Sequence, residues 1–122
     1  MYEVTIRQHF DAAHFLREYG GRCENLHGHR YEVEVALEAD ELNDLGLVYD
    51  FTQLKAALGD VLARFDHHCL NEVPPFDKVN PSAENLARDI FEALLPAMDE
   101  GSTRLAFVRV YESPDAWATY RP

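Results

Sequence analysis

Residues 23–37 read CENLHGHRYEVEVAL, and from His27 onward they alternate in character. The even positions carry charge from Arg30 to Glu34. The odd positions carry imidazole, aromatic or aliphatic groups: His27, His29, Tyr31, Val33, Val35 and Leu37. Because successive side chains of a strand point to opposite faces, this stretch predicts a strand whose apolar face holds both histidines.

A second alternation precedes it, from Tyr2 to His14. The even positions hold most of the apolar side chains, so the pattern predicts a strand with one buried face. His14 ends this strand on the buried side. Residues 15–26 then form a long connection, with Gly20 and Gly21 as its flexible point.

Two helices are predicted further along. An apolar stripe at helical spacing follows Asp50, which with Gln53 suggests a capping box: Phe51, Leu54, Leu58, Val61, Leu62 and Phe65. A second helix is predicted from Pro81 to Leu95, with a start signal from Asn80–Pro81 or from Ser82. Its inward side chains are expected to be Leu86, Ile90, Leu94 and Leu95.

The chain closes with TRLAFVRVYES and AWATYR, a predicted hairpin around residues 113–115. A loop, DHHCLNEVPPFDKVNP, separates the two helices. The order strand, strand, helix, helix, strand, strand predicts one α+β domain over 1–122, a four-stranded antiparallel sheet with two helices on one face. Its open edges favour edge-to-edge assembly.

Charge and composition limit the function. The chain has 22 acidic and 11 basic residues, a net charge of −11, which disfavours nucleic acid and anionic membranes as partners. There is no apolar run of membrane-spanning length and no leader resembling a signal peptide, so we expect a cytoplasmic protein. Its two cysteines, Cys23 and Cys69, are expected to be reduced.

Three histidines are candidate metal ligands. His27 and His29 share a face, and pairing of the first two strands could bring His14 beside them. Three neutral imidazoles with an open fourth position are typical of catalytic zinc, although iron, nickel or copper would also accept nitrogen ligands. Taken singly, His14 would more often be a satisfied core histidine.

Cys23 and an Asp66–His67 pair are candidate proton-transfer groups. Cys23 could be a fourth metal ligand, an inert thiol, or a separate reactive thiol whose pKa a nearby cation lowers. In a loop, the Asp66 carboxylate could orient His67 or His68 and raise its basicity. The alternative is a helix C-terminus whose histidines favour the helix dipole.

Glu112 is in phase with the small apolar side chains of its strand. A carboxylate at such a position loses hydration unless a partner compensates it. It could turn to solvent through strand twist, or it could anchor a guanidine-like edge through paired hydrogen bonds.

These segments together resemble the family of 6-pyruvoyl-tetrahydropterin and 6-carboxy-tetrahydropterin synthases. The resemblance covers nearly the whole chain and rests on six segments in the same order: FDAAHFL, CENLHGHRY, VYDFTQLK, DHHCLN, NPSAEN and VYES. It implies a tunnelling fold, in which trimers close a barrel and two trimers stack into a homohexamer, with active sites between subunits.

The resemblance also implies a role for each candidate residue. Zinc would be held by three histidines, His14, His27 and His29. The proton-transfer groups would be Cys23, Asp66 and His67, the last two delivered by a neighbouring subunit. Glu112 would anchor the pterin ring. Glu84 would lie near the pterin pocket, although a carboxylate that favours a helix start explains it nearly as well.

The short spacer between Cys23 and His27 is similar to that of the bacterial, carboxy-forming branch. The implied reaction converts 7,8-dihydroneopterin triphosphate to 6-carboxy-5,6,7,8-tetrahydropterin, acetaldehyde and triphosphate, in 7-deazaguanine and queuosine synthesis. Three alternatives stay open: the pyruvoyl-forming reaction, a non-catalytic zinc- or pterin-binding module, and, less favoured, a hydrolase resembling the cyclohydrolases.

Overall fold

Two long strands form the centre of the sheet in the computed structural model, which describes residues 1–21, 24–98 and 101–122. β1 (Tyr2–His14) and β2 (His27–Ala39) pair antiparallel along their whole length, with His14 opposite His27. Both alternations predicted from the sequence are confirmed, because Phe10 and His14 of β1 and Tyr31 of β2 are buried on one face while their neighbours are not.

The other elements follow in the order α1 (Phe51–Leu62), β3 (His68–Cys69), α2 (Ala83–Met98), β4 (Arg104–Ser113) and β5 (Ala116–Tyr120), with a 3-10 turn at Leu70–Glu72 after β3. The predicted closing hairpin is confirmed. β4 and β5 pair antiparallel on either side of residues 114 and 115.

The sheet has five strands in the order β3-β1-β2-β4-β5, so the prediction of a four-stranded, wholly antiparallel sheet is wrong. The additional strand, β3, pairs parallel to β1 through Ala12 and Ala13. Two residues are too few to show a period-two pattern, and the partner strand lies more than 50 residues away in the sequence.

Both helices contribute to a core on one face of the sheet. Leu54, Leu58 and Leu62 of α1 are buried there as predicted. The inclusion of Phe51 in the inward stripe is wrong, because Phe51 is 47% exposed at the start of the helix. Asp50 caps the helix by accepting the Thr52 N–H at 2.7 Å. None of the helices within the described ranges is both long and apolar enough to cross a membrane.

α2 differs from its prediction at both ends. It begins at Ala83 because the Ser82 hydroxyl accepts the Asn85 N–H at 3.1 Å, and it continues to Met98. Leu86, Ile90 and Leu94 face the core as predicted. The fourth expected inward residue is wrong, since Leu95 is 43% exposed.

Candidate active site

The three predicted histidines converge at one end of the central strand pair. Strand pairing places His14, the last residue of β1, opposite His27, the first residue of β2, and His29 follows on the same face. One ring nitrogen from each lies within 4.8 Å of the other two. The rings meet edge to face, with centroids 4.6 to 5.1 Å apart.

The hydrogen bonds of two of these rings determine where their lone pairs point. His14 Nδ1 lies 2.7 Å from the Pro81 carbonyl oxygen, and His27 Nδ1 lies 2.6 Å from that of Asn25. Carbonyl oxygens only accept, so both Nδ1 atoms carry hydrogen and both neutral rings present unprotonated Nε2 atoms. These two Nε2 atoms are 3.0 Å apart. Two lone pairs at that distance require a cation or a shared proton between them.

His29 supplies a further sign of a missing ligand. Its Nε2 is buried and has no hydrogen-bond partner among the described residues. Buried polar atoms are nearly always paired, so an orphaned imidazole nitrogen beside two others calls for an explanation. A divalent metal ion held by three imidazoles fits this donor set. The second ring nitrogens of His14 and His27 are bonded to carbonyls, the usual support for metal-ligating histidines.

Burial also favours the neutral, ligating form of these side chains. The His14 side chain is 1% exposed, and loss of hydration is the main cause that lowers its pKa below the ordinary value. Burial likewise lowers the pKa of His29. Glu112 opposes both shifts, but it does not outweigh desolvation.

Glu112 lies at the edge of the histidine cluster, near the end of β4. Its Oε1 is 4.0 Å from His14 Nε2, and its side chain is 32% exposed. It lines two surface hollows, one of about 690 Å³ and one of about 340 Å³. A half-exposed carboxylate beside the cluster can accept hydrogen bonds from a ligand that enters either hollow.

Glu84, the other expected binding residue, stands in the first turn of α2 and is exposed. It lines the smaller hollow together with Glu112, Tyr19 and Trp117. The structure therefore brings both predicted carboxylates to one concave surface.

Asp66 and His67 are placed at another part of the sheet. Asp66 Oδ1 accepts the Asp11 N–H at 3.0 Å, and the His67 N–H donates to the Asp11 carbonyl at 2.7 Å. Asp11 lies three residues before His14, about 10 Å along the strand. His67 Nε2 is 3.6 Å from Asp66 Oδ2, and the His67 side chain is 80% exposed. His68 Nδ1 contacts the Asp66 carbonyl at 2.7 Å instead.

One predicted residue lies outside the described part of the chain, and one feature of the site was not predicted from the sequence. Cys23 falls outside the described ranges, so its predicted role stays a prediction. The carbonyls of Pro81 and Asn25 were not foreseen as supports for the histidine rings. Backbone carbonyls occur at every residue, so no side-chain pattern could have marked them.

Comparison with known proteins identifies the family of this chain. Residues 3–122 match the family described as 6-pyruvoyl tetrahydropterin synthase. The chain belongs to this family. It is 32% identical to the 6-carboxy-5,6,7,8-tetrahydropterin synthase of Bacillus subtilis, over 99% of this chain and 86% of that protein. It is 35% identical to a putative 6-carboxy-5,6,7,8-tetrahydropterin synthase of Archaeoglobus fulgidus, over 97% and 94%.

A solved structure supports the fold assignment. The 6-pyruvoyl tetrahydropterin synthase of Caenorhabditis elegans superposes with a TM-score of 0.83 at 33% identity, covering 100% of this chain and 97% of that one. The chain is thus an enzyme of the 6-pyruvoyl tetrahydropterin synthase family, a lyase similar to the 6-carboxy-5,6,7,8-tetrahydropterin synthases.

Proposed function

We propose that this chain is a zinc-dependent lyase that converts 7,8-dihydroneopterin triphosphate and one molecule of water to 6-carboxy-5,6,7,8-tetrahydropterin, acetaldehyde and triphosphate. The product would enter 7-deazaguanine and queuosine synthesis in the cytoplasm. The supporting observation is the convergence of His14, His27 and His29 beside Glu112, in a chain whose curated relatives include 6-carboxy-5,6,7,8-tetrahydropterin synthases.

Three histidines would hold the metal through nitrogen atoms that the fold leaves free: His14 Nε2, His27 Nε2 and the orphaned Nε2 of His29. When bound, zinc supplies a Lewis acid that polarises substrate oxygens and acidifies neighbouring C–H and O–H groups. Zinc is favoured because it commonly binds three protein ligands in catalytic sites and suits imidazole, although ligand type alone also admits iron, nickel or copper.

Substrate orientation is assigned to Glu112. Its carboxylate would accept two hydrogen bonds from the amino and ring N–H groups of the pterin, a guanidine-like edge. Glu84, on the wall of the same hollow, would contribute to this pocket. Fixing the ring would hold the flexible side chain in a reactive position, which is a large source of rate for such substrates.

Proton transfer is assigned to Cys23 and to the Asp66–His67 pair. The Cys23 thiolate and the His67 imidazole would flank the substrate and move protons between its side-chain carbons. Within one chain, Asp66 and His67 bond to Asp11 rather than to the histidine cluster. We therefore propose that a neighbouring subunit delivers the pair, in a homohexamer built from two trimers.

The decisive experiment is to incubate the purified, zinc-loaded protein with 7,8-dihydroneopterin triphosphate and to identify the products. We expect 6-carboxy-5,6,7,8-tetrahydropterin and acetaldehyde in equal amounts. Triphosphate release with a pyruvoyl pterin and without acetaldehyde would instead assign the second candidate activity. That candidate is favoured by the similarity to the Caenorhabditis elegans 6-pyruvoyl tetrahydropterin synthase.

The non-catalytic alternative predicts a different response to one substitution. If Cys23 transfers protons, Cys23→Ala should abolish turnover while the protein retains its zinc. If Cys23 instead closes a structural zinc site, the same variant should lose the metal, and the unaltered protein should consume no pterin.

A further inference from the structure

Two asparagine side chains hold the backbone where the chain leaves β1. Phe15, next to His14, donates its N–H to Asn71 Oδ1 at 3.0 Å, and Asn71 Nδ2 donates to the Phe15 carbonyl at 3.0 Å. Arg17 makes the same pair of bonds with Asn80, at 2.8 and 3.1 Å. A side-chain amide offers one acceptor and two donors, so each asparagine satisfies both backbone groups of its partner.

Asn80 is also tied to the helix that follows it. The Asn80 carbonyl accepts a hydrogen bond from Asn85 Nδ2 at 2.9 Å, in the first turn of α2. The Arg17 guanidinium donates to the carbonyls of Phe76 and Asp77, at 2.9 and 3.2 Å, which closes the loop against the same segment. Asn80 thus joins three parts of the fold: the exit of β1, the loop before α2, and α2 itself.

The residue after Asn80 supplies the contact that orients a metal ligand. The Pro81 carbonyl lies 2.7 Å from His14 Nδ1, and His14 is the most buried of the three histidines. This contact selects the His14 tautomer with a free Nε2 and sets the rotation of the ring. Any displacement of the 80–81 backbone therefore changes the ring that completes the cluster.

We propose that Asn80 is a positioning residue for the histidine cluster, acting through the Pro81 carbonyl on His14. Its amide fixes the backbone from which that carbonyl projects, so His14 Nε2 stays directed at His27 Nε2 across 3.0 Å. The inference rests on the proposed function only in requiring that the three histidines bind a metal ion. It needs no substrate and no turnover.

The test measures metal binding by the full chain in the absence of substrate. Zn²⁺ affinity is obtained by competition with a chromophoric chelator, and Co²⁺ absorption in the visible range reports the coordination geometry. Asn80→Ala should weaken Zn²⁺ binding about tenfold and alter the Co²⁺ spectrum, as loss of ligand support commonly does. Asn80→Asp should fall between, because its carboxylate still accepts the Arg17 N–H but cannot donate to the Arg17 carbonyl.

Asn43→Ala is the matched control. Asn43 Oδ1 accepts the N–H groups of Leu45 and Leu47, at 2.9 and 3.0 Å, in the loop that follows β2. His27 is the first residue of β2, so this loop lies at the opposite end of the strand from the histidine cluster. This variant loses the same kind of loop bond, so its Zn²⁺ affinity and Co²⁺ spectrum should equal those of the unaltered chain. An equal loss of affinity in Asn43→Ala and Asn80→Ala would overturn the inference.

The remaining outcomes separate this inference from the proposed function. An Asn80→Ala protein with unchanged affinity and spectrum would refute the positioning role and leave the metal proposal intact. An unaltered chain that binds neither ion would refute both. If Asn80→Ala does not fold, Asn80→Asp takes its place, because it keeps the acceptor for the Arg17 N–H and loses the bond to the Arg17 carbonyl. Unchanged metal affinity in that variant would equally overturn the inference.

Discussion

At the scale of single residues, the histidine cluster is defined by what each ring nitrogen can still bind. Two carbonyls occupy the Nδ1 atoms of His14 and His27, and the buried Nε2 of His29 has no partner among the described residues. The metal-free cluster is therefore an unfavourable arrangement of facing lone pairs. A bound cation would convert it into a stabilising one.

Replacing one ligand tests this view. His29→Ala should remove the third imidazole and lower the zinc content of the purified protein from one ion per chain to a small fraction, as measured by elemental analysis. His9→Ala is the control, because His9 lies on the opposite, exposed face of β1. Retention of full zinc content in His29→Ala would show that the ion binds elsewhere.

The lowered histidine pKa values predict a pH effect on the metal-free protein. Because the pKa of His14 and of His29 is lower in the folded chain, the unfolded chain binds more protons below about pH 6.5, and folding stability falls as the pH decreases through that value. In the presence of a chelator, the Tm of the unaltered chain should fall from pH 7.5 to 5.5 by more than that of a His14→Gln/His29→Gln variant. Parallel curves for the two proteins would contradict the assignment.

At the scale of secondary structure elements, the helices matter because they cover the sheet face that ends in the histidines. Phe10 and Tyr31 stack at 4.9 Å beneath the cluster, and Phe65, just after α1, packs on Phe10 at 5.6 Å. The site thus stands on a layer of packed, buried aromatic rings. Loosening α1 would disturb the support of the cluster as well as the core.

A core substitution in α1 should be costly. Leu58 is fully buried, so Leu58→Ala should lower the free energy of unfolding by about 3 kcal/mol, the sum of lost burial and a residual cavity. Phe51→Ala, at the exposed start of the same helix, should change it by less than about 0.5 kcal/mol. Urea unfolding at one fixed protein concentration measures the free energy of unfolding of both variants. Equal losses of stability in Leu58→Ala and Phe51→Ala would contradict the assignment of Leu58 to the core-facing side of α1.

At the scale of the whole molecule, the sheet has two edges, and the proposed proton-transfer pair lies away from the histidine cluster of its own chain. β3 covers only Ala12 and Ala13 on the outer edge of β1, and β5 forms the opposite edge. Asp66 and His67 stand on that outer edge, at Asp11. Assembly through the edges would pair the free backbone groups of the edge strands. It would also bring Asp66 and His67 to the histidine cluster of another subunit, as proposed above.

Mixing two inactive variants tests this arrangement. Cys23→Ala and His67→Ala should each be inactive alone. Co-assembled in equal amounts, they should recover about a quarter of the unaltered activity, because that share of the sites joins an intact Cys23 to an intact His67 from another chain. Light scattering should give a mass six times that of the chain. No recovery in mixed assemblies would place both groups in one subunit.

The sequence alone determined most of the secondary structure and the strand face that the three histidines share, because the patterns that indicate them are local. Alternation with a period of two defined β1 and β2 and put His14, His27 and His29 on one face, and helical spacing defined α1 and most of α2. Such patterns lie within a few neighbouring residues and can be recognised without knowledge of the rest of the chain.

Tertiary structure decided what depends on contacts between distant residues. The two-residue β3 exists only because β1 pairs with it, and α2 begins after Ser82 because that hydroxyl, of two possible start signals, caps it. The closure of the histidine cluster depends on the pairing of His14 with His27 and on the Pro81 carbonyl. Strand register and backbone hydrogen bonds arise from the folded chain as a whole, and no side-chain pattern encodes them locally.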